Sequence, residues 1–464
     1  MMRKLNFFRG GTIAEFFFRC SLFLFPANAA ISVGAFGEIG SEPYLLINFF
    51  TILFLVFSFK IFNIWKASIA GPLFLLAFVL LSLIGLVYNY DSISVSMYKD
   101  KAGMSRFASG MLIPLWGSFF TILVYYFSRE NFLKNIVAPL YWGSILVILF
   151  AIFEMASWQS DAIRSIYLPF TNTIHALMRR GESVIGRVQS ITYEASNFGF
   201  YVCLIVPLFL CFSKIDDFRG QRKKLYSIVI LLVFFSLFSG RTSYLGVFVS
   251  LIFALFFLKI SKKPSDFGGV TKYVLLSVPS LIIFFPLSFM VFNSDFLVSL
   301  IYDSDNLSNV SRYSTIYAQI EIFLDNFIVG VGFNQYGYYY PSYVPSWADN
   351  WETNAWIYSY EASFFPSFSL YSRVAAELGF VGIVFVYSVI QYVYGSCIKY
   401  VFNVNVGHDC RILSGAVAAA IVSLSFVLWT VGTFRIFNFW FLLGIFCYIK
   451  YRISYEGTTR CSVR

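Results

Sequence analysis

Four arginines are spaced to do chemistry: Arg187 in GRVQSITYEASNFG, Arg241 in SGRTSY, and Arg312 and Arg373 on either side of a long aromatic-rich stretch. Arginine is always charged, and its planar fork holds a diphosphate bidentately, which suits it to neutralising a pyrophosphate at a membrane boundary. The same side chains could instead snorkel to lipid headgroups or pair with a carboxylate. Arg241 has the least freedom to snorkel, because only two or three residues separate the apolar runs that flank it. Arg241 and Arg187 are therefore the first catalytic candidates. Arg312 and Arg373 are candidates for substrate binding.

The nearby carboxylates divide by position. Glu194 lies seven residues after Arg187 at the mouth of an apolar run, where an ionisable group is expensive unless used, and is the first candidate for a general base. Glu377 follows Arg373 by four residues, so a helix puts both on one face and lets them pair. Asp349, Glu352 and Glu361 lie between the two loop arginines. The only histidines are His175, read as a polar loop residue, and His408, read as solvated surface. There is no Walker sequence, paired-cysteine motif, HExxH or GxSxG, so neither a metal nor a serine nucleophile is expected, and no cofactor.

Between the loop arginines, Phe333 to Tyr371 holds eight Tyr, three Trp and four Phe in 39 residues, too aromatic for a disordered segment. Sugar rings present apolar C–H faces, and Tyr or Trp offers a flat face with a polar tip. Tyr336, Tyr338, Tyr339, Tyr340, Trp347, Trp351 and Trp356 thus read as a glycan platform, with Tyr336, Tyr339, Trp347 and Trp351 the first substrate-binding candidates. An interfacial aromatic belt is the alternative, but a belt would spread over every loop end.

The elements that position these residues follow from composition. Of 464 residues, 58% are hydrophobic and 12% charged, with a mean hydropathy of +0.72, so the chain cannot cover a water-facing surface. It reads as an all-α polytopic membrane protein, a single integral membrane domain over 1–464. Twelve apolar runs of roughly span length are expected to be transmembrane helices: 12–33, 44–62, 69–88, 108–127, 136–157, 196–213, 226–240, 243–260, 273–292, 374–396, 412–433 and 436–450. The first reads as a retained span, not a signal peptide. Counting Lys and Arg on alternate sides gives 22 inside and 11 outside, which predicts both termini in the cytoplasm. The net charge of +10 is then a sorting signal and not a nucleic-acid surface. Seven cysteines in or beside apolar runs imply no disulfide framework.

Two outer loops are long, about 158–195 and 293–373, and loops of that length between packed spans are functional or disordered. Inside the second, SRYSTIYAQIEIFLDNF (311–327) has apolar residues near helical spacing.

Three segments carry a family resemblance: RVQSITYEASNFG before a span, SGRTSYLG between spans, and the large outer loop that opens with SRYSTIYAQIEIFLDNFIVGVGFNQYG and closes with SLYSRVAAELGFVG. The chain resembles Wzy-type O-antigen and capsular polysaccharide polymerases, which are related to the O-antigen ligases. The resemblance implies a GT-C-like glycosyltransferase of the bacterial cytoplasmic membrane, acting on its outer face on undecaprenyl-diphosphate-linked oligosaccharides. It implies that Arg187, Arg241 and Arg312 bind the donor diphosphate and that Gly330, Gly332 and Gly379 shape backbone turns. It also implies membrane lipid as surroundings, a separate chain-length regulator protein as partner, and no nucleic acid. Ligases typically carry a histidine near the end of the large loop; SFSLYSR has none, which argues for polymerase over ligase. A flippase for lipid-linked oligosaccharides is the rival from another class.

Overall fold

In hydrocarbon every backbone N–H and C=O must be satisfied within the protein, so an apolar run of span length folds as a helix. The structure, a computed structural model, describes residues 12–27, 43–58, 70–178, 186–192, 194–292, 307–359 and 365–461. Each of the twelve apolar runs carries a helix: α1 (Ile13–Phe23), α2 (Pro43–Phe57), α3 (Ala70–Tyr88), α5 (Gly103–Phe132), α6 (Ala138–Gln159), α8 (Ala195–Phe212), α9 (Arg222–Ser236), α10 (Arg241–Lys262), α11 (Gly269–Phe292), α15 (Leu370–Phe402), α16 (His408–Val427) and α17 (Phe437–Cys461). Between them stand α4 (Tyr90–Val95), α7 (Asp161–Met178), α12 (Leu307–Asp325), α13 (Tyr336–Tyr343) and α14 (Trp351–Tyr358). A small antiparallel hairpin pairs β1 (Met97–Tyr98) with β2 (Lys101–Ala102).

Among the described residues, six helical paths are long and apolar enough to cross a membrane by length and composition. One of them, Gly103–Gln159, runs through α5, a π turn at Leu133–Val137 and α6. Pro43–Phe57 and Pro72–Tyr88 are apolar but shorter. Exposed stripes such as Leu73, Leu76, Leu80, Ile84 and Val87 on α3 and Leu245, Phe248, Ile252 and Leu255 on α10 face outward at helical spacing, as lipid contact requires. The protein is an all-α polytopic membrane protein.

At the centre lies α16, packed against α8, α10 and α15. Its run Gly415–Ala420 is buried and small-sided apart from Val417, which lets neighbouring backbones approach. Gly246 of α10 shows how closely: a Cβ there would lie 2.6 Å from Val427 Cγ2.

The two long segments expected to be loops hold helices where they are described. The stretch expected as the first loop, 158–195, takes in the end of α6 and then α7, which folds back on it with the Tyr167 ring 5.2 Å from Phe153. Residues 179–185 and Tyr193 lie outside the described residues. In the second loop, the helix expected over 311–327 is α12, followed by α13 and α14. These build a core of their own from Ala318, Ile322, Val331, Tyr336, Tyr340, Phe365 and Ala376.

That loop is stitched to a break in α15. Gly379 has φ +65°, and a Cβ there would sit 2.4 Å from the Ile328 carbonyl oxygen. Across the break, Phe380 N–H donates to the Phe327 carbonyl and Val381 N–H to that of Ile328, while Val331 and Gly332 donate to the carbonyls of Ala376 and Glu377. Backbone groups freed by the kink are thus satisfied by the loop, as buried irregular backbone requires. Gly330 and Gly332 also have positive φ, +71° and +101°.

Candidate functional site

Two constellations stand at the same end of the helical bundle. The first is built where α8 and α10 begin. Ser239 and Ser243 hydroxyls both donate to the Ala195 carbonyl, at 2.6 and 3.2 Å, and Val188 N–H donates to the Phe238 carbonyl at 2.8 Å. Gly199 makes room for this, since a Cβ there would fall 2.0 Å from that of Ser243. RVQSITYEAS and SGRTSY, separate in sequence, are therefore one patch. Arg187 is exposed on it. Glu194 occupies the N-cap position of α8, also exposed, with its Oε2 accepting from the Ser196 hydroxyl at 3.2 Å. Arg241 is the first helical residue of α10; its side chain lies outside the described residues. Two helix N-termini side by side, each with a partial positive charge, favour an anion above them.

The second constellation centres on Asn334, a non-glycine residue held at φ +63°. Its N–H donates to Glu377 Oε2 at 2.8 Å. Its side-chain oxygen accepts from Arg373 Nη2 at 2.8 Å and Arg106 Nη2 at 3.3 Å, and its amide nitrogen donates to the Arg106 carbonyl. Arg373 pairs with Glu377 Oε1 at 3.0 Å, donates to the Gly432 carbonyl at 2.9 Å, and lies 4.8 Å from the Phe434 ring centroid. Glu377 is fully buried and Arg373 is 6% exposed. The pair expected from i,i+4 spacing is thus formed, and it holds the loop against α15. The contact between α5 and the loop is close: a Cβ on Gly110 would meet Asn334 Nδ2 at 2.8 Å.

Beside this cluster opens an apolar groove lined by Phe74, Phe78, Ile113, Pro114, Leu428, Phe434 and Trp440, with about 610 Å³ of space counting its mouth. Phe434 is shared: it lines the groove and packs on Arg373. Arg312, on α12, is exposed and stacks 5.3 Å from the Phe368 ring.

The aromatics of the large loop fall into two sets. Tyr336 and Tyr340 are buried, with the Tyr336 hydroxyl donating to the Phe365 carbonyl at 2.5 Å and Arg373 over its ring, so neither Tyr offers a free face. Tyr338 and Tyr339 are half-buried, Tyr338 donating to the Lys101 carbonyl at 2.8 Å. Trp347 is half-buried against Tyr317, and Trp356 against Phe368. Trp351 is 70% exposed. Only part of the expected platform therefore faces outward, because a loop of this length first needs its own core. Burial pushes the hydroxyls of Tyr338 and Tyr340 up to about 12, and the hydrogen bond to Asp325, with burial behind it, does the same for Tyr343. Glu361 and the His175 side chain lie outside the described residues.

Three residues were not singled out from the sequence. Arg106 and Asn334 complete the Arg373 cluster, and Glu154, fully buried near the C-terminal end of α6, accepts from the backbone of Gln189 and Ser190. Glu154 left a signal, an ionisable residue inside an apolar run. Asn334 left a weaker one, an asparagine just after two glycines in GVGFNQYG, since asparagine tolerates the left-handed region.

Residues 226–387, about a third of the chain, match the protein family described as O-antigen ligase. The matched stretch begins in α9 and ends in α15, taking in Arg241, Arg312, the aromatic loop, Arg373 and Glu377, and leaving out Arg187 and Glu194. No curated protein matches the chain. The match supports a relation to the O-antigen ligase and polymerase superfamily.

Proposed function

We propose that this protein is a membrane glycosyltransferase that polymerises undecaprenyl-diphosphate-linked oligosaccharide repeat units on the outer face of the bacterial cytoplasmic membrane, both termini lying in the cytoplasm. The observation that carries the reading is the joining of the Arg187 turn to the start of α10, where Arg241 stands, at two helix N-termini. A polyprenyl diphosphate needs a cationic patch and a nearby apolar channel, and the groove under Arg373 and Phe434 supports the second requirement.

In the reaction, the hydroxyl oxygen of the incoming unit attacks the anomeric carbon of the growing chain. The bond from that carbon to the diphosphate oxygen breaks, and its electron pair leaves with undecaprenyl diphosphate. The hydroxyl proton passes to a base, for which Glu194 is the candidate. Charge grows on the diphosphate oxygens in the transition state, so fixed guanidinium groups lower the barrier; losing one such donor typically costs about 2.7–4 kcal/mol. Arg187, Arg241 and Arg312 are assigned to that task. Arg373 is assigned to hold the loop, and Trp351, Trp347 and Tyr339 to the sugar, with Tyr336 supporting them from beneath. The lipid diphosphate supplies its own leaving group, so the reading needs no nucleotide or metal. A separate chain-length regulator is the expected partner.

The family description favours a second reading, transfer of finished glycan to a different lipid or protein acceptor. SFSLYSR lacks the histidine that the ligase resemblance calls for, which favours polymerisation. Incubating the purified protein in lipid nanodiscs with lipid-linked repeat units alone separates the two. Polymerase predicts multimers still on lipid diphosphate; a ligase gives product only when a second acceptor is added.

A further inference from the structure

Arg187 belongs to no helix or strand, yet the turn that carries it is tightly determined. Ser190 sits at φ +56°, a conformation that an L-residue keeps only where its surroundings impose it. What imposes it is Glu154. Both the Gln189 and Ser190 N–H groups donate to the single oxygen Oε2, at 3.0 and 2.8 Å, and the Ser190 hydroxyl donates to the Val147 carbonyl at 2.6 Å. Val188 bonds the same turn to the connection before α10. Val188, Gln189 and Ser190 are buried, while Arg187 next to them is exposed.

We propose that Glu154 is a positioning residue: by gathering two consecutive backbone N–H groups, it fixes the 187–190 turn and so aims Arg187 at the anionic leaving group beside the start of α10. This rests on the function proposed above. Glu154 touches no substrate, and its effect passes through Arg187. A carboxylate accepting two backbone donors in a buried site is a strong and directional clamp. An aliphatic residue of the same size would remove the acceptor that both N–H groups share, and the turn would relax from its left-handed form.

The test uses the full-length protein in nanodiscs, with undecaprenyl diphosphate as binding probe and a lipid-linked repeat unit as substrate. A displacement of about 1 Å at a charge-stabilising group costs on the order of a hundredfold in rate, so Glu154→Ala and Arg187→Ala are each expected to lower kcat/KM by about that factor. The double variant is expected to fall no further than Arg187→Ala, since Glu154 acts through that residue. Glu154→Gln keeps an oxygen that can accept both donors and is expected to stay within about tenfold of wild type. Should Glu154→Ala fail to insert, Glu154→Leu, alone and combined with Arg187→Ala, completes the cycle and the exchange comparison.

Losses that multiply in the double variant, or a Glu154→Ala protein as active as wild type, would overturn the inference. Amide exchange reads the clamp independently of activity. Faster exchange over 187–192 is expected in Glu154→Ala, with Glu154→Gln close to wild type, and unchanged exchange in Glu154→Ala refutes the clamp. Failure of the wild type to bind undecaprenyl diphosphate would instead overturn the proposed function.

Discussion

Replacing Glu377 with leucine removes the carboxylate that pairs with Arg373 at 3.0 Å. Arg373 would remain 6% exposed, still donating to neutral acceptors such as the Asn334 side-chain oxygen and the Gly432 carbonyl. The Asn334 N–H would lose its acceptor as well. Breaking a buried pair from one side strands a charge and costs about 3–5 kcal/mol. The strain should appear where the pair acts, at the seam between the 328–334 stretch and the α15 break. Arg373→Leu should cost a similar amount, because Glu377 is then the stranded charge. Removing both should cost less than the sum of the singles by about 1–3 kcal/mol, since no buried charge is left. The assay is thermal unfolding of the four proteins in nanodiscs, with amide exchange over 328–343 to localise the effect. Additive single losses, or no change in exchange at that seam, would refute the view that this pair clamps the loop.

Gly379→Ala should destabilise by more than about 1–3 kcal/mol, since the left-handed φ alone costs that much and the new Cβ would crowd the Ile328 carbonyl at 2.4 Å; lowered yield of folded protein on gel filtration checks it. Alkaline pH should loosen the large loop: the folded form keeps the Tyr338, Tyr340 and Tyr343 protons to about pH 12, whereas an unfolded tyrosine releases its proton near 10.0. Stability from these groups is therefore complete below pH 10 and is lost as pH rises toward 12, which a tyrosinate absorbance titration follows; Tyr343→Phe should remove part of the late phase. Trp351→Ala should leave the melting temperature within about 0.5 kcal/mol equivalent while weakening oligosaccharide binding by about 0.5–1.5 kcal/mol; a binding isotherm unchanged from wild type removes Trp351 from the sugar site.

The helices were legible because hydrocarbon leaves a span-length apolar run no other folded state, and α8, α10 and α16 begin or end within a few residues of the runs that announced them. The Arg373–Glu377 pair was legible for a similar reason, being set by one helical turn. What depends on long-range closure was not. Tyr336 and Trp351 have the same aromatic character in sequence, and only the packing of α12 and α13 sends one into the loop core and leaves the other exposed. Asn334 gathers two arginines and a glutamate only once 327–332 has docked on the broken helix, a pairing that no local period encodes. Glu154 is a lone carboxylate within an apolar run, and the 187–190 turn that wraps onto it gives it partners for its Oε2.

Polymerisation in the cell is tested by deleting the gene in its host, restoring it as wild type or as Arg241→Ala, and running the extracted surface glycan on a gel. Deletion and Arg241→Ala are both expected to collapse the ladder of chain lengths to a single repeat unit on its anchor, with the variant protein still present in the membrane. Complete loss of surface glycan with accumulation of lipid-linked precursor, or a wild-type ladder from Arg241→Ala, would contradict the proposed polymerisation.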